Sequence, residues 1–423
     1  MKLLIELPTP INSGSGVVAI NHGKELCKQG HDIYFATSSN ERKTNIELGL
    51  PDNIHVEFII HNNGNNDDWD VSFLVPAFSE GLKNPRFIDL TEEQRDEYIE
   101  VYTKKYKAII NDFQPDIIHS HHLFITNQII EEIAPNIPHV CHSHQTAERM
   151  MIETKSKMLL PFVKKGVQTV DRIIAISDDV ANQIIDLYDI PKDKITTIYN
   201  GYNPDVFYPR KLNRQEILKK YGIQDKFKKI VLLVAKDSEW KGQRYFISAA
   251  RFLDKRNLYL IAGNGVLRNE YEGQIKNLNL QDYVKYITPP PNRTDLISEL
   301  MGIADIFVLP SFKEGFGNVV IEELASGCPV VFSNSGGPKE YIIKSLLEKQ
   351  FAIPVDPLNT LDGKFQIDPN DEVNYTHRIA DGINTLLQKN ITFEDKQFIS
   401  SSVEHLSWQN ICQKLTEVYY ELL

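Results

Sequence analysis

The stretch PSFKEGFGNVVIEELASGCPVVFSNSGG at residues 310–337 decides the fold of this 423-residue chain. The apolar run at 305–309 just before it predicts a strand, Asn318–Ala325 has the composition of a helix, and the run at 329–332 predicts a second strand. A strand, a helix and a strand in this order form one unit of a parallel sheet. The loop at 314–317 then follows the carboxyl end of a strand, which is where open parallel sheets bind ligands.

The same alternation of short apolar runs and longer amphipathic stretches extends along the whole chain. Runs in the first half predict strands at 3–7, 32–37, 56–60, 116–118, 139–141, 172–176 and 195–199, and runs in the second half predict strands at 229–235, 258–262, 284–287, 305–309, 329–332 and 351–355. Two such series predict an α/β protein with two doubly wound domains. The polar, proline-containing stretch 200–214 separates them, and we expect the linker near 203–212.

Composition excludes several classes of protein. The chain is 42% hydrophobic and 24% charged, which is typical of globular proteins and excludes disorder. Its formal net charge of -11 repels nucleic acid, so we expect no nucleic-acid partner. No apolar segment approaches the roughly 18 residues of a membrane span. The start MKLLIELPTP is too short for a signal peptide, and four widely spaced cysteines indicate reduced thiols in a cytoplasmic protein.

The loop at 314–317 combines residue types that suit a phosphorylated sugar. Gly315 and Gly317 let backbone N–H groups approach a ligand, and the start of the following helix favours an anion such as a diphosphate. A carboxylate at Glu314 suits sugar hydroxyls better than phosphate. Glu322, one turn beyond Asn318, could accept hydrogen bonds from both hydroxyls of a ribose. These local features are also compatible with a simpler interpretation, in which the loop only caps the helix and Glu322 is an ordinary solvated glutamate.

The segment EGFGNVVIEELASGCPVV, with Glu314 and Glu322 eight residues apart and SGGPKE following, resembles the C-terminal signature of the retaining GT-B glycosyltransferases (glycosyl transferases group 1). Six further segments carry the resemblance in family order: GSGVVAINHGKELCKQGHDIYF (14–35), DIIHSHHL (116–123), DRIIAISDDV (171–180), TTIYNGYNPDVFYP (196–209), VAKDSEWKGQ (234–243) and LIAGNG (260–265). The resemblance implies a GT-B fold, with two Rossmann-like domains facing across a cleft. Residues 1–205 with the helix 405–423 would bind the acceptor, and 206–404 would bind the nucleotide sugar.

The resemblance also implies a role for each matching residue. Glu322 would bind the donor ribose, Glu314 the transferred sugar and Lys241 the diphosphate, while His121 corresponds to the active-site histidine near the donor sugar. Lys236 stands where the family usually has Arg. A lysine keeps the positive charge but cannot form the two parallel hydrogen bonds that an arginine guanidinium makes to a phosphate. The catalytic set is therefore expected to be His121, Lys236, Lys241 and Glu314. Besides Glu322, the expected donor-binding residues are Gly14, Ser15, Gly16, Gly265, Gly315, Phe316, Gly317, Asn318 and Val319.

The function expected from this resemblance is retaining sugar transfer in the synthesis of cell-surface glycans or glycoconjugates. The donor would be a nucleoside diphosphate sugar, with a UDP-sugar favoured, and no separate cofactor is expected. The acceptor would be a hydroxyl of a glycan, a lipid-linked sugar or a small molecule. No second acid is evident in the matched motifs of the first half, which favours attack on the same face with a diphosphate oxygen as base.

Histidines at two strand ends raise a zinc site as a rival interpretation: His119, His121, His122, His142 and His144. They lack HExxH or CxxC spacing. Strand alternation also directs His119 and His121 to one side of the sheet and His122 to the other. We therefore expect no metal, and structural roles for most of these residues.

Three further interpretations stay open. Gly14, Gly16 and Ala19 fit the GxGxxA pattern of an NAD-dependent oxidoreductase, although an irregular PTPINS is expected between the first strand and this pattern. Lys236 leaves open a paralogue that binds a nucleotide sugar without turning it over. The segment TKSKMLLPFVKKG at 154–166 mixes Lys with apolar residues as membrane-surface helices do, which allows peripheral contact with the inner face of the membrane, but Pro161 is expected to interrupt it.

Overall fold

The computed structural model describes residues 1–11, 13–65, 68–78, 84–154, 156, 159–290, 293–312, 314–359 and 367–423. Within these residues the chain forms thirteen strands, and every pairing between them is parallel. The strands are β1 Lys2–Pro10, β2 Asp32–Ser39, β3 His55–Ile60, β4 Ile117–His121, β5 His139–Ser143, β6 Arg172–Ala175, β7 Ile195–Thr197, β8 Ile230–Lys236, β9 Leu258–Asn264, β10 Val284–Ile287, β11 Ile306–Leu309, β12 Val330–Ser333 and β13 Ala352–Val355. Each coincides with a predicted apolar run.

Helices connect successive strands. They are α1 Gly14–Lys28, α2 Asn45–Leu48, α3 Glu92–Phe113, α4 Ile125–Ile133, α5 Thr146–Thr154, α6 Leu159–Thr169, α7 Asp178–Tyr188, α8 Arg214–Lys220, α9 Gln243–Ala249, α10 Arg268–Asn277, α11 Thr294–Ile303, α12 Asn318–Ala325, α13 Gly336–Tyr341, α14 Lys344–Glu348, α15 Pro369–Leu387, α16 Phe393–Ser401 and α17 Trp408–Leu422. The bounds of α12 are those predicted from its composition.

The chain forms two compact units, each built on one sheet. The first unit comprises Met1–Asn200 and Trp408–Leu423, with strand order β3-β2-β1-β4-β5-β6-β7, and the second comprises Gly201–Ser407, with order β10-β9-β8-β11-β12-β13. Each sheet grows in both directions from a central strand, as doubly wound folds do. The predicted fold class of two doubly wound α/β domains is confirmed. The unit boundaries lie a few residues from the predicted 205 and 404.

The first strand corrects one prediction. β1 continues through Pro8 to Pro10, where an irregular PTPINS was expected. Leu3 to Glu6 pair with both β2 and β4, whereas Pro10 pairs only with Ser38 of β2, after a shift in register. A proline cannot donate a ladder hydrogen bond, so it is tolerated where the strand has a neighbour on one side only. Asn12 lies outside the described residues.

Helix α17 belongs to the first unit and packs on α1. Its buried residues are Trp408, Ile411, Cys412, Leu415, Val418 and Tyr419. The Tyr419 hydroxyl lies 2.6 Å from Nδ1 of His119 in β4. These apolar residues are therefore buried against α1 and beside a strand at the middle of the first sheet.

Helix α6 corrects a second prediction. Pro161 does not interrupt the segment 154–166, because it is the third residue of α6 and its missing N–H has no partner to lose in the first turn. The buried side of α6 packs on α4, and a Cβ on Gly166 would lie 2.4 Å from the Gln128 nitrogen. Residues 155, 157 and 158 of this segment lie outside the described residues. Among the described helices, none is long and apolar enough to cross a membrane.

The core of the second unit holds the strands that carry most candidate site residues. Helices α9 and α15 pack against each other and contribute Tyr245, Phe246, Tyr375 and Ile379 to the buried cluster. The Tyr375 hydroxyl donates a hydrogen bond of 2.7 Å to the Pro310 carbonyl, directly after β11. Buried packing and this bond fix the start of the 310–317 loop.

Candidate active site

The carboxyl ends of β8 and β11 lie side by side at the switch point of the second sheet. These strands are neighbours, but the chain leaves β8 toward β9 and leaves β11 toward β12. Connections that diverge in this way open a crevice at the strand ends, where ligands of doubly wound folds bind. Lys236 is the last residue of β8, and Glu314 lies in the loop after β11.

Lys241 and Glu314 form an ion pair across this switch point. The Lys241 Nζ lies 2.6 Å from Oε2 of Glu314, and Ser311 Oγ donates a hydrogen bond of 3.0 Å to the same oxygen. Gly242 follows Lys241 with a φ of 73°, and a Cβ there would lie 2.0 Å from the Pro310 carbonyl oxygen. The turn that carries Lys241 therefore packs directly on the loop that carries Glu314.

Lys236 adds a second positive charge. Its side chain is exposed, and its carbonyl accepts a hydrogen bond of 2.8 Å from Nε2 of Gln243. The pKa of Lys236 is lowered, first by partial removal from water and then by the like charge of Lys241. The two ammonium groups are thus close enough to repel each other, and a bound anion would relieve that repulsion.

The loop at 314–317 is held by the glycines of SNSGG. A Cβ on Gly336 would lie 1.6 Å from the Glu314 carbonyl oxygen, and one on Gly337 would lie 2.6 Å from the Phe316 Cα. The Tyr341 hydroxyl donates a hydrogen bond of 3.2 Å to the Gly317 carbonyl. Larger side chains at these two positions would push the loop out of place.

Helix α12 starts directly after this loop. Gly317 has a φ of 80° and offers no side chain to cap the helix, and the first turn contains no acidic residue. Asn318 and Val319, the first two residues, therefore present backbone N–H groups at an end with partial positive charge. The predicted donor-binding residues Gly315, Phe316 and Gly317 precede them directly.

Glu322 lies one turn into α12. Its side chain is partly exposed, and burial raises the pKa of its carboxyl group to about 8. Within the described part of the chain no group donates a hydrogen bond to its carboxyl oxygens, so they are available to a ligand. Glu323, the next residue, is completely buried near Lys396 of α16 and is not available. Burial raises the pKa of Tyr341, and the nearby carboxyl groups of Glu314 and Glu322 raise it further.

Gly265 lies beside Asp237, a residue that the sequence analysis missed. A Cβ on Gly265 would lie 2.6 Å from the Asp237 Cβ, and the Tyr286 hydroxyl donates a hydrogen bond to Asp237 Oδ1. Burial raises the pKa of Asp237. Its position directly after β8 and Lys236 is the signal that could have identified it. The structure thus explains Gly265 by close packing at the same sheet edge.

The predicted loop residues of the first unit lie at the start of α1. Ser13 Oγ caps this helix by accepting a hydrogen bond of 3.0 Å from the Gly16 nitrogen, and it lies 2.9 Å from Ser15 Oγ. A Cβ on Gly16 would lie 1.9 Å from the Ile11 carbonyl oxygen, whereas Gly14 has open space around it. Packing of the chain on itself accounts for Gly16, and Gly14 has room for a ligand.

His121 ends β4 and is completely buried. Its Nδ1 lies 2.8 Å from Nε2 of His144, and its ring stacks on that of His119 with centroids 4.9 Å apart. His122 has a φ of 73° and packs instead on Phe78. His119 and His121 therefore share one side of the sheet, as predicted. His122 lies beyond the end of β4, and its ring also lies 4.8 Å from that of His144, so it is not separated from the other histidines as strand alternation predicted.

The site residues of the second unit come together: Lys236, Lys241, Glu314, the 315–319 segment and Glu322, with Gly265 at the same edge. Gly14, Ser15, Gly16 and His121 lie in the first unit, at the ends of its central strands β1 and β4. The sequence analysis missed His22, which extends from α1 to stack on His119 at 5.5 Å between ring centroids. The sequence places His22 in the helix that follows β1, and this position could have indicated that His22 lies near the strands of the first sheet.

Two family models match the chain. Residues 213–355 match the model described as glycosyl transferases group 1, and residues 12–206 match the model described as glycosyltransferase family 4. Both models describe glycosyltransferases and together they span most of the chain, so the chain is a glycosyltransferase.

This glycosyltransferase is 26% identical, over 345 residues, to the N-acetyl-alpha-D-glucosaminyl L-malate synthase of Bacillus anthracis, with 81% of each chain covered. Its fold is similar to that of sucrose-phosphate synthase from Thermosynechococcus elongatus (TM-score 0.71, 16% identity, 100% of this chain and 98% of that chain). It is also similar to Anabaena HepE in complex with UDP and glucose (TM-score 0.70, 18% identity, 100% of both chains). These likenesses support the GT-B fold class.

Proposed function

We propose that this glycosyltransferase transfers a sugar from a UDP-sugar to an acceptor hydroxyl with retention at the anomeric carbon. In this proposal it acts in the cytoplasm, in the synthesis of cell-surface glycans or glycoconjugates. The observation that carries the proposal is the Lys241–Glu314 ion pair, which lies next to the N-terminus of α12. No side chain caps this N-terminus, and the Glu322 carboxyl group lies one turn further along the helix. The second unit would bind the donor and the first unit the acceptor.

The arrangement supplies positive potential where a leaving diphosphate needs it. Negative charge grows on the diphosphate as the glycosidic bond breaks, and groups placed beforehand lower the barrier most effectively. Lys236, Lys241 and the α12 N-terminus are such groups. Lys236 ends β8 and Lys241 lies in the turn that follows, where Glu314 holds its ammonium before the donor arrives.

Donor binding would change the partner of Lys241. A diphosphate at the α12 N-terminus competes with Glu314 for the Lys241 ammonium. When the ammonium turns to phosphate, Oε2 of Glu314 becomes free to accept a hydroxyl of the transferred sugar, while Ser311 still holds the carboxylate in position. The ion pair therefore keeps both groups in place before the donor arrives, and it divides them between phosphate and sugar afterwards.

Glu322 would bind the ribose of the donor. An ionised carboxylate can accept two hydroxyl hydrogen bonds from adjacent ribose carbons, and such charge-assisted bonds are stronger than neutral ones. The pKa of Glu322 is about 8 because burial disfavours its charge. Ribose hydroxyls would favour the charged form, so donor binding would lower this pKa and release a proton.

For the chemical step we propose attack on the face from which the diphosphate leaves. A retaining enzyme with a carboxylate nucleophile places it about 5 Å from its acid partner. Glu314 is engaged by both Lys241 and Ser311, which suits a residue that positions the sugar. A diphosphate oxygen would then take the proton of the acceptor hydroxyl.

The test begins with thermal-shift measurements against UDP-, GDP- and ADP-sugars, because a specific ligand stabilises the native state. We expect a UDP-sugar to raise the melting temperature and to be turned over with a hydroxyl acceptor or, slowly, with water. NMR of the first product formed from an α-linked donor should show an α-linked sugar. A β-linked first product would exclude retention, stabilisation by NADH alone would indicate the oxidoreductase, and binding without turnover would indicate the non-catalytic paralogue.

A further inference from the structure

Three histidines bring their ring nitrogens together in the core of the first unit. His22 lies in α1, His119 in β4 and His142 in β5, and all three are completely buried. One ring nitrogen of each lies within 4.8 Å of the others. The ring centroids are 5.5 Å apart for His22 and His119, 5.0 Å for His22 and His142, and 5.8 Å for His119 and His142.

Most nitrogens of this cluster lack a hydrogen-bond partner among the described residues. Neither nitrogen of His22 has one, and the same holds for Nε2 of His119. His142 has only the approach of Asn200. A neutral imidazole carries one donor and one acceptor, and both are normally satisfied when the ring is buried. Several unsatisfied nitrogens that converge on one point are therefore unusual, and a ligand between them would satisfy them together.

His119 is already oriented toward this point. Its Nδ1 lies 2.6 Å from the Tyr419 hydroxyl of α17, which fixes the ring. When Nδ1–H donates to the Tyr419 oxygen, Nε2 carries the lone pair that a metal would use. A ligating histidine usually has such a partner on its second nitrogen.

We propose that His22, His119 and His142 bind a divalent transition-metal ion, with zinc the expected one. A set of imidazole nitrogens suits zinc, which binds them at about 2 Å. His121 lies outside this group and its Nδ1 is engaged with Nε2 of His144, so a water molecule is the expected fourth ligand. The rings would have to rotate to bring nitrogens that are now up to 4.8 Å apart to binding distance from one ion.

The ion would join three elements that are distant in sequence. It would tie α1 to the two central strands β4 and β5, and through His119 and Tyr419 it would also hold α17. Since the ligands are completely buried, the ion would enter during folding. This role is structural and does not depend on the proposed sugar transfer.

The experiment measures metal content and not activity. Untagged wild-type protein would be prepared without chelators and analysed by mass spectrometry of its metals, with about one zinc ion per chain expected. The same protein, unfolded with a chelator and refolded with Co²⁺, should show the visible absorption of a four-coordinate site. Less than about a tenth of an ion per chain in both preparations would overturn the proposal.

Variants locate the ion. His22→Gln and His119→Gln should each lose most of the bound metal, whereas His55→Gln, an exposed histidine of β3, should keep it. An unchanged content in both cluster variants would overturn the proposal. If these variants do not fold, Tyr419→Phe keeps the core apolar and removes only the partner of His119. It should weaken metal affinity about 10- to 100-fold, and an unchanged affinity would overturn the assignment of His119.

Discussion

Lys241 Nζ lies 2.6 Å from Oε2 of Glu314, and this ion pair joins the turn after β8 to the loop after β11. The lysine is more exposed than the glutamate, with 29% and 10% of their side chains accessible. The ammonium can therefore turn toward a ligand while Glu314 stays in place. The pair thus sets the position of two groups that the proposed reaction uses separately.

The first prediction concerns the two lysines. Lys241→Met should lower kcat by about 10²- to 10³-fold, because it removes a charge that stabilises the leaving diphosphate. Lys236→Met should also lower kcat. Lys236→Arg should keep or raise kcat, because it retains the positive charge and adds a guanidinium group that can bind phosphate through two hydrogen bonds. Turnover of the donor checks all three. Lys219→Met, at an exposed position of α8, is the matched control. A rate for Lys236→Met equal to that of the parent would show that Lys236 does not contact the diphosphate.

The second prediction concerns Glu322. Glu322→Gln keeps the size of the side chain and removes its charge, so affinity for a UDP-sugar should fall by about 1.5 to 3 kcal/mol, the usual worth of a hydrogen bond to a charged group. Calorimetry of the folded variant measures it. Glu348→Gln, an exposed change in α14, should leave affinity unaltered. Equal affinities for Glu322→Gln and the parent would exclude the ribose contact.

The third prediction is a pH dependence of donor binding. With a pKa of about 8, Glu322 is mostly protonated at pH 7, and ribose hydroxyls favour its ionised form. Donor affinity should therefore rise between about pH 6.5 and 8.5, with uptake of a proton by the buffer. Calorimetry at pH 7 in buffers of different ionisation enthalpy measures this proton. Glu322→Gln should abolish the release, and the idea fails if the parent releases none.

The fourth prediction compares two glycines in the α1 loop. Gly16→Ala places a Cβ 1.9 Å from the Ile11 carbonyl oxygen, so the free energy of unfolding should fall by about 1 to 3 kcal/mol. Gly14→Ala meets no atom within 4 Å and should change it by no more than about 0.5 kcal/mol. Denaturant unfolding of both variants checks this. Equal losses would contradict the packing described for this loop.

The fifth prediction concerns Glu6, which accepts a hydrogen bond of 2.6 Å from the Tyr106 hydroxyl in the first unit. Burial raises the pKa of Glu6 from 4.5 to about 8. Between these values the folded state holds a proton that the unfolded state has lost, so stability falls as pH rises, by at most about 1.4 kcal/mol per pH unit. Glu6→Gln should flatten this slope in urea unfolding at pH 6, 7 and 8. An unchanged slope would show that Glu6 does not titrate as described.

Local pattern was sufficient for the elements of the fold. Short apolar runs predicted all thirteen strands, because a strand buried on both faces needs an apolar segment whatever its neighbours are. The position of the candidate residues at the carboxyl ends of strands followed from the same pattern, since parallel strands place these ends at one edge of the sheet. The E-G-F-G loop and the helix Asn318–Ala325 were predictable because glycine and helix composition act locally.

What the sequence by itself determined is therefore the order of the elements, the two doubly wound units and which residues follow the carboxyl ends of strands. The tertiary structure alone decided which of these residues touch. Lys241 pairs with Glu314 across 73 positions, β1 passes through its prolines where one neighbouring strand is absent, and His22 joins His119 and His142. Such contacts depend on side-chain direction and on the packing of elements distant in sequence. No local periodicity encodes either of these, so the sequence could assign Lys241 and Glu314 to different parts of the donor but could not predict that they pair with each other.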